Sequence, residues 1–194
     1  MTPATSIDRE RAVPTTSQAE VTLYTLDSAH SHLGFSVRHM MIANVRGEFQ
    51  KLSGTVAYDP KNPEATRIEV SVDPASINTR EEKRDAHLRS ADFFDVEKYP
   101  SVTFSATKAR RSGDKLEVTG NLTLRDKTRE VTLTVDELTP EQTDPYGNRR
   151  IGATAHTKIK RSDFGMQWNA ALEAGGVLVG DEISLQVEVE LIRK

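Results

Sequence analysis

The chain has 194 residues, 36% of them hydrophobic and 28% charged, with a formal charge of −3 at pH 7; this composition fits one globular core and lacks the basic excess that a nucleic-acid partner demands. The absence of cysteine excludes disulfides, thiolate nucleophiles and cysteine-ligated metals. No apolar run reaches the ~20 residues of a membrane-spanning helix and residues 1–20 hold no apolar signal-peptide core, so the sequence predicts a cytoplasmic protein with no membrane span.

Residues 1–20 combine Pro3, Pro14, several Ser and Thr and the charged run DRER, and read as a disordered tail ahead of one domain over residues 21–194. From there apolar residues recur with period two, the signature of strands with one buried face. Leu33, Phe35 and Val37 alternate with Gly34, Ser36 and Arg38. A parity break near Phe49 predicts a bulge, after which Leu52, Val56 and Tyr58 resume the pattern. Ile68, Val70 and Val72 form the next run.

Between Val72 and Val102 the alternation stops. Thr79-Arg80-Glu81-Glu82 has the spacing of a capping box, which predicts that Thr79 caps a charged helix running to Arg89. Glu81/Arg84 and Asp85/Arg89 stand at ion-pair spacings, and only Ala86 and Leu88 are apolar. So thin an apolar stripe places the helix across a rim of the sheet. Phe93 and Phe94 follow, each able to bury ~150–250 Å², and Tyr99-Pro100 returns the chain to extended backbone. The segment reads as a plug or lid.

Val102, Phe104 and Ala106 lead through a Ser112-Gly113-Asp114 turn to Leu116, Val118, Leu122 and Leu124. Arg125 to Thr128 turns the chain into Val131, Leu133 and Val135, and the run DPYGN leads to Ile151, Ala153, Ala155 and Ile159. Ile183, Leu185, Val187, Val189 and Leu191 complete the pattern. About eight strands, short turns and no alternating helices predict an all-β protein, an antiparallel up-and-down β-barrel with one short charged helix between strands at the rim. A sandwich fits the same alternation, but the long last strand can pair with the first and so remove both edges.

Residues that carry chemistry are few. His30, His32 and His39 raise metal binding, but strand parity sets His39 opposite His32 and no acidic cluster completes the ligands, so no metal is expected. Asp163-Phe164-Gly165 lacks the companions of the kinase tripeptide and reads as a turn. Gly175-Gly176 and Gly180 read as a loop, because no helix follows to make a phosphate cradle. His87 with Asp92 and Asp85 is the nearest approach to an acid-base site. An enzyme with that site at the barrel mouth, or a stress-related interaction module with a filled barrel, are the alternatives to a ligand-binding barrel.

The blocks HLRSADFFDVEKYP, SVTFSAT, GNLTLRDKTREVTL and DFGMQWNAALEAGGVLVGDEISLQVEVEL occur in that order, and over residues 22–192 the chain resembles the YceI-like family of lipocalin-like polyisoprenoid-binding proteins. Its early histidine motif matches His30 and His39, its helix-and-rim motif matches His87 to Pro100, and its late motif matches Asp163, Phe164 and Gly165. The resemblance implies a non-catalytic homodimer without a cofactor. Its ligand would be an isoprenoid lipid, a polyprenyl phosphate or an isoprenoid quinone, held in the barrel for transport, storage or sensing. On this reading the β-strands supply Phe35, Val37, Val70, Val72, Phe104, Val118, Leu122 and Ala153 to the cavity, and Phe93, Phe94 and Phe164 line or gate it. His30, His39, His87 and Arg89 are the head-group or rim candidates. At roughly 0.3 kcal/mol per heavy atom, a chain of about 40 carbons contributes about 12 kcal/mol, against about 1.5–3 kcal/mol for one charge-assisted head-group contact. The tail is therefore expected to dominate affinity. Many members carry a secretory signal, and this sequence shows none. Members also often carry phenylalanine where Ala153 stands, and the smaller side chain either widens the cavity or is offset by a neighbour.

Overall fold

Alternation resolves into strands throughout the computed structural model, which describes residues 21–194 apart from Ala174 and the side chain of Thr107. The expected tail, residues 1–20, lies outside the described residues. In chain order the elements are β1 (Thr22–Leu26), β2 (His32–His39), β3 (Ala43–Phe49), β4 (Leu52–Tyr58), β5 (Arg67–Val72), β6 (Ile77–Asn78), α1 (Glu82–Arg89), β7 (Val102–Ser112), β8 (Lys115–Leu124), β9 (Lys127–Leu138), β10 (Gln142–Thr143), β11 (Arg149–Lys160) and β12 (Val179–Arg193). No described helix is long and apolar enough to cross a membrane.

Eight antiparallel strands close the barrel in the order β1, β4, β5, β7, β8, β9, β11, β12. The last strand pairs with the first, Leu26 opposite Leu191, so the ring has no free edge there. β12 is 15 residues long and β1 only 5, so β1 covers just one end of that edge. The rest is taken by β2, which pairs with β12 from Ile183 to Glu188. The β2–β3 hairpin thus extends the wall beside β1, while β1 itself pairs with β4.

The parity break near Phe49 is a change of partner, where a bulge was expected. β3 pairs with β2 and β6, whereas β4 pairs with β1 and β5. Ser76 pins the corner: its hydroxyl accepts the N–H groups of Gln50 and Lys51 and donates to the Asp73 carbonyl at 2.6 Å. The register shifts instead at Ala106/Lys108, between β7 and β8, at Thr154/Ala155, between β11 and β9, and at Val179/Ile183, between β12 and β2.

The hairpins follow turn chemistry. Gly113, with φ +62°, joins β7 to β8. In the run DPYGN, the Asp144 carboxylate accepts from the backbone of Tyr146 and Asn148 and from Asn148 Nδ2, while Gly147 takes φ +88°.

Helix α1 starts later than the capping box predicts. Glu81 is the cap, its carboxylate accepting from the N–H groups of Lys83 and Arg84. Thr79 is engaged elsewhere, giving both its hydroxyl (2.5 Å) and its N–H (2.9 Å) to Oδ1 of buried Asp85. The expected ion pairs along the helix give way to bonds with backbone. Arg84 donates to the Thr79 carbonyl, and Arg89 donates to the carbonyls of Ala75 (2.8 Å) and Ile77 (2.9 Å). Those bonds fasten the helix to β6 across the rim.

Candidate functional site

The inward faces of the strands enclose an apolar cavity of about 290 Å³. Strict alternation puts Phe35 and Val37 of β2, Val70 and Val72 of β5, and Phe104 of β7 on its wall. Val118 and Leu122 of β8 and Ala153 of β11 complete the predicted strand contributions. β9 and β12 add Val131, Leu133, Ile183 and Leu185, whose alternation is visible in the sequence although they were not among the cavity residues expected from it. At position 47 of β3 the wall needs glycine, since a Cβ there would lie 2.5 Å from the Phe35 ring. Phe164 is not among the lining residues; it is 1% exposed and packs behind Phe93, Leu122 and Met166, which are.

One end of the barrel is closed by the segment that follows α1. Phe93 is buried and Phe94 half-buried, and both line the cavity. Phe94 meets the Phe49 ring edge-on at 5.5 Å, and Phe49 in turn lies 5.7 Å from Phe35. Phe93 sits 5.4 Å from Trp168, which belongs to the long β11–β12 connection. His87 stands between them, edge-on to Phe93 at 5.1 Å and to Trp168 at 4.6 Å, with Nε2 2.8 Å from Asp92 Oδ2. Phe93, Phe94, His87 and Trp168 thus stand together at one end of the cavity.

Beneath the plug lies a residue that sequence reasoning passed over. Arg161 is 5% exposed and is the charged residue among the cavity-lining side chains. Its guanidinium donates to the carbonyls of Met166 (2.7 Å), Trp168 (2.9 Å), Gly180 (2.9 Å) and Val179 (3.4 Å). Burial pushes its pKa down, while Asp181 pulls it the other way. The arginine knits the β11–β12 connection into a floor, with backbone dipoles in place of a carboxylate. Burial likewise raises the pKa of Tyr58 on the cavity wall.

The four head-group candidates are divided between the two ends. His87 and Arg89 lie at the plugged end, and His39 closes β2 opposite Val179, where β12 begins. Arg89 is committed to the Ala75 and Ile77 carbonyls. His30 lies at the far end, beside the start of β11, in an ion cluster centred on Arg150. That guanidinium contacts Asp27 (2.7 Å), Asp144 (2.7 Å) and Glu190 (2.6 Å), and His30 Nδ1 is 2.9 Å from Asp27. The hydrogen bond from Arg150 holds the Asp27 pKa down to about 2, and Asp27 in turn raises that of His30. Asp27, His30 and Glu190 stand close enough to share a cation, but Arg150 supplies positive charge to both carboxylates. Of the suggested acid-base group, His87 and Asp92 meet, whereas Asp85 turns away to Thr79.

The YceI-like domain model matches residues 24–191. Protein YceI of Salmonella newport (strain SL254) is 36% identical over 182 residues, 93% of this chain and 92% of that protein. Among solved structures, the YceI protein of Campylobacter jejuni is 33% identical with a TM-score of 0.67, covering 80% of this chain and 89% of its own. BcnA of Burkholderia cenocepacia shares the fold at 24% identity, with a TM-score of 0.74 over 85% of this chain and 98% of BcnA. A polyisoprenoid binding domain from Saccharophagus degradans, implicated in plant cell wall breakdown, shares it at 18% identity, with a TM-score of 0.65 over 88% and 98%.

Proposed function

The chain belongs to the YceI-like family, and we propose that it is a non-catalytic carrier that encloses the tail of an isoprenoid lipid in its barrel. One observation carries this reading: every barrel strand contributes apolar side chains to a single space of about 290 Å³. A void lined this way gains nothing from water, which would find too few polar partners there, and gains much from an apolar chain. The Saccharophagus degradans domain of the same fold is a polyisoprenoid binding domain, in keeping with that ligand class.

The size of the cavity refines the proposal. It stands at the lower end of the roughly 300–1,000 Å³ that pockets for drug-sized ligands span. A short prenyl chain fits as the protein stands, and a long one needs Phe93 and Phe94 to swing out. We therefore assign those two rings the role of a gate. The head group, a phosphate or a quinone, then sits at the plugged end near His87, while the tail supplies the affinity.

Extraction of natively purified, detergent-free protein with organic solvent, followed by mass spectrometry, tests this. An isoprenoid lipid in near-stoichiometric amount is expected. A clean extract would overturn the carrier reading and favour a filled barrel.

A further inference from the structure

Exposed apolar side chains are concentrated on this molecule. Of the large ones among the described residues, Met40, Met41, Ile42 and Val177 gather at one place, the tip of the β2–β3 hairpin and the loop against it. Ile42 is 75% exposed and Met41 56%. The two segments are tied: Met40 donates its N–H to the Leu178 carbonyl at 2.8 Å, and Met41 Cγ lies 3.8 Å from where a Cβ on Gly176 would be.

The tip is also strained. The turn closes with the Ile42 N–H on the His39 carbonyl at 3.1 Å, and its two central residues, Met40 and Met41, have φ of +50° and +61°. Such positions ordinarily go to Asn or Gly. Here they hold two long apolar side chains turned toward solvent, an arrangement that folding alone does not favour and that points to a use. The run from Arg38 to Arg46, RHMMIANVR, has an exposed arginine at each end and no carboxylate. Arg38 Nη2 fastens the turn by donating to the Met41 carbonyl at 3.0 Å.

An apolar tip bracketed by cations complements one kind of surface, a bilayer with anionic head groups. The position fits as well. Val37 lines the cavity three residues before the tip, and Val179, which lines it too, pairs with His39. We propose that the β2–β3 hairpin tip seats the protein on an anionic lipid bilayer, with the plugged end of the barrel toward the lipid. This rests on the carrier reading, since an isoprenoid ligand has its reservoir in the membrane.

Flotation with phosphatidylcholine vesicles, with and without phosphatidylglycerol, tests the proposal using the whole protein. The variants are Met41→Ser combined with Ile42→Ser, and Leu23→Ser as a control for an exposed apolar residue far from the tip. The wild type and Leu23→Ser should float with the anionic vesicles, and the tip variant should bind about tenfold more weakly at an unchanged melting temperature. Equal flotation of wild type and tip variant, or none by either, overturns the proposal. So does a tip-dependent dimer in sedimentation without vesicle binding, because the occupant would then be a second copy. Solvent extraction of the same preparations separates the two readings. Bound lipid without vesicle binding defeats docking alone, whereas tip-dependent vesicle binding with a clean extract defeats the carrier and upholds docking.

Discussion

The His87 ring stands edge-on to the Trp168 indole with centroids 4.6 Å apart, and this contact joins the plug to the β11–β12 connection beneath it. His87 belongs to α1 and Trp168 to the β11–β12 connection, so this contact, with that of Phe93, bridges parts of the chain about 80 residues apart. An edge-to-face aromatic contact is worth about 0.5–1.5 kcal/mol beyond the area it buries. Trp168→Ala removes its contacts with both His87 and Phe93, so the release rate of a fluorescent prenyl probe should rise by about tenfold. Stopped-flow displacement reads this directly. An unchanged rate would show that the ligand leaves by another route.

Ala153 and Arg89 separate tail binding from head-group binding. Ala153 faces the cavity, with Val189 of β12 and Leu138 of β9 as its register partners. Ala153→Trp fills the space a tail would take, and titration with a prenyl lipid should show affinity reduced by about tenfold or more. Arg89→Ala should change affinity by less than about threefold, because its guanidinium is spent on the Ala75 and Ile77 carbonyls. Its effect should appear in the melting temperature. Equal losses of affinity would place the head group on Arg89.

Arg161 should matter for stability out of proportion to its place in a basic run. Arg161→Met keeps the buried stem but leaves the carbonyls of Met166, Trp168 and Gly180 without their donor. Losing partners for buried acceptors costs about 1–3 kcal/mol each, so urea unfolding should show a loss of about 3 kcal/mol or more. Arg161→Lys, able to reach fewer carbonyls, should recover part of it. A loss within about 0.5 kcal/mol would mean that the floor holds without this side chain.

The interior of the barrel was legible because side-chain parity depends only on the strand itself. Phe35, Val70, Val118 and Ala153 could be assigned to the inside without knowing which strand neighbours which. What failed depends on partners that the local pattern does not single out. Thr79 fits a cap by spacing, but buried Asp85 needs its hydroxyl and N–H more, and Glu81 takes over the helix end. The break at Phe49 looks like a bulge until β1 is seen to be too short to cover β12, which leaves room for the β2–β3 hairpin. His30 and His87 looked like members of one rim, and only the topology puts them at opposite ends. Arg161 was unreadable because its acceptors are backbone carbonyls 5–19 residues away, and a carbonyl leaves no mark in a sequence.

The ion cluster at the far end sets a pH dependence whose sign differs on its two sides. Asp27 ionises at about 2 in the folded chain against an ordinary 3.8, because Arg150 and His30 both bond its carboxylate. Folding therefore favours the charged form; the resulting stability is complete above pH 3.8 and is lost as the pH falls toward 2. For His30 the shift runs the other way. Asp27 raises its pKa above the ordinary 6.5, so that contribution is complete below pH 6.5 and is lost as the pH rises through the raised value. Asp27→Asn removes the first shift and the largest cause of the second, leaving only the charge of Glu190 to raise His30. Denaturant midpoints measured from pH 2 to pH 9 should then fall less steeply on the acid side than in the wild type and lose most of the decline above pH 6.5. Some acid dependence should persist, because Asp144 keeps its bonds to Asn148 and Arg150 and remains well below the usual carboxylate range. A variant profile parallel to that of the wild type would mean that Asp27 does not couple the cluster to folding.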